Sequence, residues 1–156
     1  MIRILFVCHG NICRSPMAEY VLIAFAQRRG LSDMLSADSC ATSREEIGNP
    51  VYPPARRTLM RHGIPCGEHR ARQMTKADYG AFDRILCMDR SNVRNVLKIT
   101  GGDPDRKIGM LLDHAGRIGE EVSDPWYTGD FEAAWNDILS GVEGLLSQLF
   151  PQDKQA

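Results

Sequence analysis

The stretch that decides the fold is IRILFVCHGNICRSP, at positions 2–16. Residues 2–7 are apolar and rich in β-branched and aromatic side chains, which predicts a buried strand. Residues 17–26 predict a helix, with Ser15 as its N-cap and Pro16 at its first position, where the missing N–H has no cost. A loop of about six residues between a strand and a helix N-terminus is an arrangement that binds phosphate.

The residue types in this loop predict a reactive site. Gly10 allows the chain to curl so that backbone N–H groups converge on an anion. The helix dipole, the amides and Arg14 all favour the thiolate form of Cys8. The planar guanidinium of Arg14 can bind two phosphate oxygens at once. An isolated Cys and Arg would indicate only a buried thiol beside a surface cation. Here strand, glycine, hydroxyl, proline and helix agree, which favours catalysis.

Length and composition limit the class of protein. A chain of 156 residues predicts one domain, residues 1–156. With 19 basic and 20 acidic residues, there is no electrostatic argument for nucleic acid or an anionic membrane as partner. Five cysteines without a C-x-x-C pair fit neither a disulfide framework nor a zinc site. We therefore expect no metal, no cofactor and a reducing, cytoplasmic location. The N-terminal apolar run is too short for a signal peptide, and no segment is long enough to span a membrane.

The rest of the chain alternates between strand and helix patterns. Further strands are predicted at 34–41, 84–88 and 108–112. Further helices are predicted at 55–61, from Thr75 as cap through Tyr79, from Ser91 to Thr100, and at 131–149. This alternation predicts a single-domain, three-layer α/β sandwich of the flavodoxin-like type. Its four-stranded, mostly parallel sheet would carry helices on both faces, with the phosphate-binding loop between the first strand and the first helix. Cys40, Cys66 and Cys87 are expected in the core.

Asp124 is the candidate acid. Cleaving a phosphate monoester through a thiolate requires a proton for the departing oxygen and then a base for water, and one carboxyl group can supply both. Asp124 lies in the long loop 116–129, and Pro125 favours an extended backbone that projects its side chain. An Asp-Pro pair by itself indicates only a turn. Trp126 and Tyr127 would flank the mouth of the pocket, at least one of them packing under the loop. A recessed thiolate favours phosphotyrosine over phosphoserine.

Five segments resemble the low-molecular-weight protein tyrosine phosphatases. They are VCHGNICRSPMAE at 7–19, DSCATSREEIGNP at 38–50, RHGIP at 61–65, ILCMD at 85–89 and DPWY at 124–127. The resemblance covers nearly the whole chain in order. It implies hydrolysis of a phosphotyrosine-containing protein or a small aryl phosphate through a phosphocysteine on Cys8, with Asp124 as acid and then base. The sequence leaves the oligomeric state open between a monomer and a weak dimer.

The remaining loop residues have supporting roles in this interpretation. Asn11 can brace the tight turn through side-chain hydrogen bonds, and Ser15 can donate its hydroxyl to the Cys8 thiolate. The resemblance implies that Ser15 helps phosphocysteine to break down. It also implies that Cys13 can form a disulfide with Cys8 on oxidation; the alternative is a passive buried thiol. The loop comprises His9, Gly10, Asn11, Ile12 and Cys13 between Cys8 and Arg14, and Ser15 directly after Arg14.

Three further positions concern the surroundings of the loop. Ser39 and His69 match family positions that hydrogen-bond toward it, although the 66–70 loop looks one residue longer here. Glu45 stands where the family often carries an aromatic residue lining the pocket. The change removes a stacking face and adds negative charge, which predicts poorer turnover of acidic phosphotyrosine peptides than of neutral or basic ones.

Three alternatives share these features. Thiol-dependent arsenate reduction requires two further relay cysteines close together, whereas Cys66 and Cys87 lie far apart in the sequence. Phosphoarginine hydrolysis goes with Thr at the place of Ile12 in related enzymes, and the apolar Ile12 favours a phenyl ring. A non-catalytic phosphate-binding module would be expected to lack Cys8 or Asp124, and both are present.

Overall fold

The computed structural model describes residues 1–151. Its strands are β1 (Ile2–Cys8), β2 (Leu35–Ala41), β3 (Arg84–Cys87) and β4 (Ile108–Met110). Its helices are α1 (Arg14–Arg28), α2 (Pro53–Arg61), α3 (Asp78–Ala81), α4 (Arg90–Thr100), α5 (Pro125–Thr128) and α6 (Phe131–Leu149), with a 3₁₀ helix at Leu111–Ala115. The predicted α/β fold is confirmed.

The sheet has the strand order β2-β1-β3-β4. All three pairings are parallel, so a sheet predicted to be mostly parallel is wholly so. β1 lies in the interior of the sheet, with Val7 paired to Cys40 on one side and to Cys87 on the other. The chain leaves β1 at the point where the strand order changes direction, which is where α/β sheets bind their ligands.

Alternation along β1 directs its side chains into two separate cores. Ile4, Phe6 and Cys8 belong to the core formed with α1 and α6. Leu5 and Val7 point to the opposite face and pack in the core that includes residues of β3 and α4. The two cores confirm a three-layer sandwich, and the period-2 geometry of the strand places the Cys8 side chain on the α1 side.

The predicted fourth strand, 108–112, is too long by two residues. The strand ends at Met110, and Leu111 begins the 3₁₀ helix. Leu111 and Leu112 are completely buried against the core. Gly141 of α6 lies against Leu111 and leaves room for its side chain, since a Cβ there would clash. Burial of these leucines against α6 therefore overrides their strand-like pattern.

Several helix starts also differ from prediction. α1 begins at Arg14, and Ser15 does not cap it: the residue before the helix is Cys13, which makes no side-chain cap. α4 begins at Arg90, because Asp89 and Asn92 form a reciprocal capping box. The other differences are a short α3 that begins at Asp78 rather than after Thr75, and a one-turn α5 inside the predicted loop 116–129. No helix within residues 1–151 is long and apolar enough to cross a bilayer.

Candidate active site

Cys8 ends β1 and lies at the base of a pocket, 4 % exposed. Its Sγ is 3.3 Å from the backbone nitrogen of Asn11 and 2.9 Å from the Ser15 hydroxyl. Within residues 1–151, the N–H groups of Gly10, Ile12 and Cys13 donate to no protein acceptor. These donors belong to the loop that precedes α1, so they are available to an anion bound in the pocket.

Asn11 holds the loop together from inside. It is completely buried and adopts a φ of 60°, the left-handed region that asparagine tolerates better than most residues. Its side-chain amide donates to the hydroxyls of Ser15, at 2.8 Å, and Ser39, at 2.9 Å, while its Oδ1 accepts the Arg72 N–H at 3.1 Å. Because the Ser15 oxygen accepts from Asn11, its own proton is free to point at Cys8 Sγ.

Ser39 and His69 both contact this network. Ser39 donates to a Glu19 carboxylate oxygen at 2.6 Å. Burial raises the pKa of Glu19 to about 7. The His69 ring lies 2.7 Å from the carbonyl oxygen of Asn11, and burial lowers the pKa of this histidine. A carbonyl only accepts, so the Nε2 of the neutral ring carries the proton and donates it to Asn11.

Arg14 also lines the pocket and is 3 % exposed. Its guanidinium donates to the Val122 carbonyl at 3.1 Å, to Asp89 at 3.0 Å and to Asp124 at 3.3 Å. Burial acts to lower the pKa of Arg14, but the neighbouring Cys8, Asp124 and Asp89 raise it overall. The guanidinium is therefore a permanent positive charge fixed beside the thiol.

The structure brings Asp124 to the same pocket from the other end of the chain. Its backbone is extended and it caps α5, with Oδ1 accepting the Trp126 N–H at 3.1 Å. Its second oxygen faces Arg14. Pro125 occupies the first position of α5, as expected for a residue without an N–H. The carboxyl group thus lies at the pocket wall, 30 % exposed.

The mouth of the pocket is aromatic and acidic. Trp126 is 55 % exposed and Tyr127 is 85 % exposed, so neither packs under the loop as the sequence predicted for at least one of them. The Trp126 ring lies 5.1 Å from the ring of Tyr52, centroid to centroid. Glu45 also lines the pocket, with its carboxylate 3.0 Å from the ring of His9.

Four residues of the site were not found from the sequence: Glu19, Glu46, Arg72 and Asp89. Asp89 could have been found from the sequence. An aspartate between the end of a strand and the start of a helix commonly caps the helix, and this position lies at the edge of the sheet where ligands bind. Arg72 contacts Asn11 through its backbone, which no side-chain pattern could reveal.

All five cysteines are free. Burial raises the pKa of Cys13 to about 12, so this thiol remains protonated beside the loop. Cys40 and Cys87 are buried as predicted, whereas Cys66, also expected in the core, packs against it and is only partly buried. In the described part of the chain, no group of three or more His, Cys, Asp or Glu side chains is arranged to hold a metal ion.

The fold and the site together define an α/β protein that carries a loop of the phosphate-binding type where the strand order of its sheet changes direction. Residues 3–155 match the family described as low molecular weight phosphotyrosine protein phosphatase. The chain belongs to this family and is an enzyme of it.

Individual relatives agree over almost the full length. The chain is 39 % identical over 150 residues to the low molecular weight protein-tyrosine-phosphatase YfkJ of Bacillus subtilis, which spans 96 % of both chains. The YfkJ crystal structure superimposes with a TM-score of 0.92 over 99 % of this chain and 98 % of that one. Identity to the human low molecular weight phosphotyrosine protein phosphatase is 41 %, over 93 % of this chain and 94 % of that one. A drosophila arginine phosphatase, DARP, is also similar, with a TM-score of 0.86 at 29 % identity over 96 % and 98 % of the two chains.

Proposed function

We propose that this enzyme hydrolyses phosphotyrosine monoesters in two steps, through a phosphocysteine on Cys8. The observation that carries the proposal is the convergence of the Cys8 sulfur, the Arg14 guanidinium and the Asp124 carboxyl on one pocket. The loop N–H groups that donate to no protein acceptor can complete the set of donors that a phosphoryl group requires.

In the first step, Cys8 Sγ attacks phosphorus in line with the aryl oxygen, and the bond between phosphorus and that oxygen breaks. Arg14 and the loop N–H groups hold the three other oxygens, where charge accumulates in the transition state. Asp124, in its protonated form, gives its proton to the departing phenolate oxygen. The products of this step are a free tyrosine side chain and phosphocysteine.

In the second step, the Asp124 carboxylate takes a proton from water, which attacks phosphorus as the S–P bond breaks. Ser15 lies 2.9 Å from the sulfur and donates its hydroxyl to the thiolate that forms. Inorganic phosphate leaves, and Cys8 and protonated Asp124 are ready for another cycle. The charge on the departing sulfur is balanced by the buried, permanently positive Arg14.

The pocket supports an aryl phosphate as substrate. It encloses about 210 Å³ and has Trp126 and Tyr127 at its mouth, where a flat ring can stack. Ile12 adds an apolar wall, which favours a phenyl ring over a guanidinium. We propose either a phosphotyrosine-containing protein or a small aryl phosphate, and neither nucleic acid nor membrane as partner.

The alternatives have less support. Cys87 is completely buried in β3, whereas Cys66 is partly exposed in the segment between α2 and α3. A relay of oxidation to these two thiols would therefore require a strand to open. The similar structure DARP is named an arginine phosphatase. Equal kcat/KM values on phosphoarginine and phosphotyrosine would contradict the aryl specificity proposed here.

We further propose that residues 1–156 form one domain, that the protein is a monomer or a weak dimer, and that it acts without a metal or a cofactor. Residues 152–156 lie outside the described part. Five free cysteines support a reducing, cytoplasmic location. A chelator should leave turnover unchanged.

A pair of variants tests the nucleophile. Cys8→Ser should abolish turnover of p-nitrophenyl phosphate while still binding phosphate, because the cradle and Arg14 remain. Cys66→Ser removes a thiol outside the pocket and should keep full activity. Iodoacetate should alkylate Cys8 in the unmodified enzyme, and vanadate should protect it. Ordinary turnover by Cys8→Ser, or alkylation of Cys8 that vanadate does not affect, would overturn the proposal.

A further inference from the structure

The loop that presents Asp124 is fastened to α6 by one carboxylate. Asp137, in the first half of that helix, accepts the N–H of Ser123 on Oδ2 at 3.0 Å. Its Oδ1 accepts the Arg117 guanidinium, also at 3.0 Å. The Asp137 side chain is 18 % exposed, so its charge is largely shielded from water and balanced by these donors. Ser123 immediately precedes Asp124 in the chain.

Other contacts fasten the loop farther upstream, and they reach a different part of the fold. The Val122 N–H donates to the carbonyl of Met88, at 2.9 Å, just after β3. Arg90 donates through its guanidinium to the Gly119 carbonyl at 2.7 Å and through its backbone to Glu121 at 2.9 Å. Within residues 1–151, the hydrogen bond from the Ser123 N–H to Asp137 is thus the contact with the rest of the fold that most closely precedes Asp124 along the chain.

The position of α6 explains why the contact of Asp137 with the loop matters. α6 packs on α1 in one hydrophobic core, and α1 begins with Arg14. Asp137 therefore ties the acid loop to the same rigid layer that fixes the phosphate-binding loop. Misplacement of a catalytic group by 1 Å can lower the rate about 10²-fold.

We propose that Asp137 is a positioning residue for proton transfer by Asp124, held in its own orientation by Arg117. The inference rests on the proposed function, since it concerns the proton that Asp124 delivers. Arg117 also pairs with Glu120, whose side chain is 54 % exposed. Glu120 therefore contributes little, and Asp137 is the effective partner of Arg117.

Asp137→Ala should change the kinetics in a way that a loss of stability alone would not. Asp137→Ala should lower kcat/KM, which reports the reaction up to cleavage of the aryl P–O bond, by about ten- to a hundredfold on phenyl phosphate, a poor leaving group. The loss on p-nitrophenyl phosphate should be several times smaller, because a good leaving group needs less protonation. KM and the rate of Cys8 alkylation should not change. Glu143→Ala, at an exposed position of the same helix, is the matched control and should behave as the unmodified enzyme.

A double variant keeps the test decisive if Asp137→Ala does not fold. In Asp137→Asn combined with Arg117→Gln, the introduced amide oxygen can still accept the Ser123 N–H. The amide N–H can donate to the new glutamine oxygen. This pair should retain most of kcat/KM on phenyl phosphate. Asp137→Asn by itself should not, because its amide N–H group would face either the Arg117 guanidinium or the Ser123 N–H, and both of these are donors.

Two results would contradict the inference: equal loss on both aryl phosphates, or unchanged kinetics in a folded Asp137→Ala protein. If instead Asp124→Asn shows no dependence on the leaving group, the proposed role of Asp124 fails and the inference fails with it. The two failures are therefore distinguishable.

Discussion

The floor and the rim of the pocket are built differently. The floor, which comprises Cys8, Asn11, Arg14 and Ser15, is at most 4 % exposed, and each of its side chains is held by neighbouring atoms. The rim, which comprises Glu45, Trp126 and Tyr127, is exposed and carries few contacts. A pre-organised floor suits the transition state that every substrate shares. An open rim suits the parts in which substrates differ.

Burial explains the order of the floor. A buried polar group without a partner is costly, so the floor residues satisfy one another. Among the described residues, no buried side-chain nitrogen or oxygen lacks a hydrogen-bond partner. Rim residues can hydrogen-bond to water, so burial does not force them to find partners within the protein. Substitutions in the floor should therefore change rate and stability, and those in the rim should change selectivity.

After the complete loss of turnover expected for Cys8→Ser, the largest effect is expected at Asp124, which lies between the two regions. Asp124→Asn removes the proton donor and should lower kcat/KM, which reports the reaction up to cleavage of the aryl P–O bond, about 10²- to 10⁴-fold on phenyl phosphate, and less on p-nitrophenyl phosphate. Steady-state kinetics with both substrates measures the difference. Asp33→Asn, at an exposed turn position, is the control. A small loss, equal on both substrates, would exclude Asp124 as the acid.

Asn11→Ala should damage the floor as a whole. Alanine is strained at a φ of 60°, and the hydroxyls of Ser15 and Ser39 lose their amide donor. Together these changes should lower the free energy of unfolding by about 2–4 kcal/mol. Urea unfolding measures the loss, with Asn136→Ala on the exposed side of α6 as the control. Equal stability of the two variants would show that the network does not brace the loop.

Glu45→Gln should change selectivity and leave the floor intact. Its carboxylate repels acidic substrates, and exposed charge interactions are small, about 0–1 kcal/mol. The variant should therefore raise kcat/KM on acidic phosphotyrosine peptides only a fewfold, with no change on p-nitrophenyl phosphate. Glu68→Gln removes an exposed carboxylate that does not line the active-site pocket and is the control. If the unmodified enzyme shows no preference against acidic peptides, the interpretation of Glu45 is wrong.

The effect expected at Glu19 is on stability and not on rate: the stability of the fold should depend on pH. Its pKa of about 7 in the folded protein lies above the ordinary 4.5. Between these values the unfolded chain releases a proton that the folded protein retains, so this group destabilises the fold as pH rises from about 4.5 to 7. Glu19→Gln should flatten that part of the curve of Tm against pH. Glu143→Gln should not, and identical curves for Glu19→Gln and the unmodified protein would contradict the assignment.

The parts predicted correctly from the sequence depend on short stretches. The phosphate-binding loop could be found because a strand, a glycine and a helix start occur within one window. The errors arose where packing competes with local preference. Ser15 has the chemistry of a helix cap, but its hydroxyl contacts Cys8 instead. Leu111 continues a strand-like pattern, but burial against Gly141 turns the chain.

The amino-acid sequence by itself determined the succession of strands and helices along the chain, the family, and the candidates Cys8, Arg14 and Asp124. These depend on residue types and spacings that a short segment contains. Only the tertiary structure decided which atoms meet, such as Asp89 with Arg14, Glu19 with Ser39 and Asp137 with Ser123. Such contacts join residues far apart in the chain, and they form because each polar group that folding buries must find a partner near it.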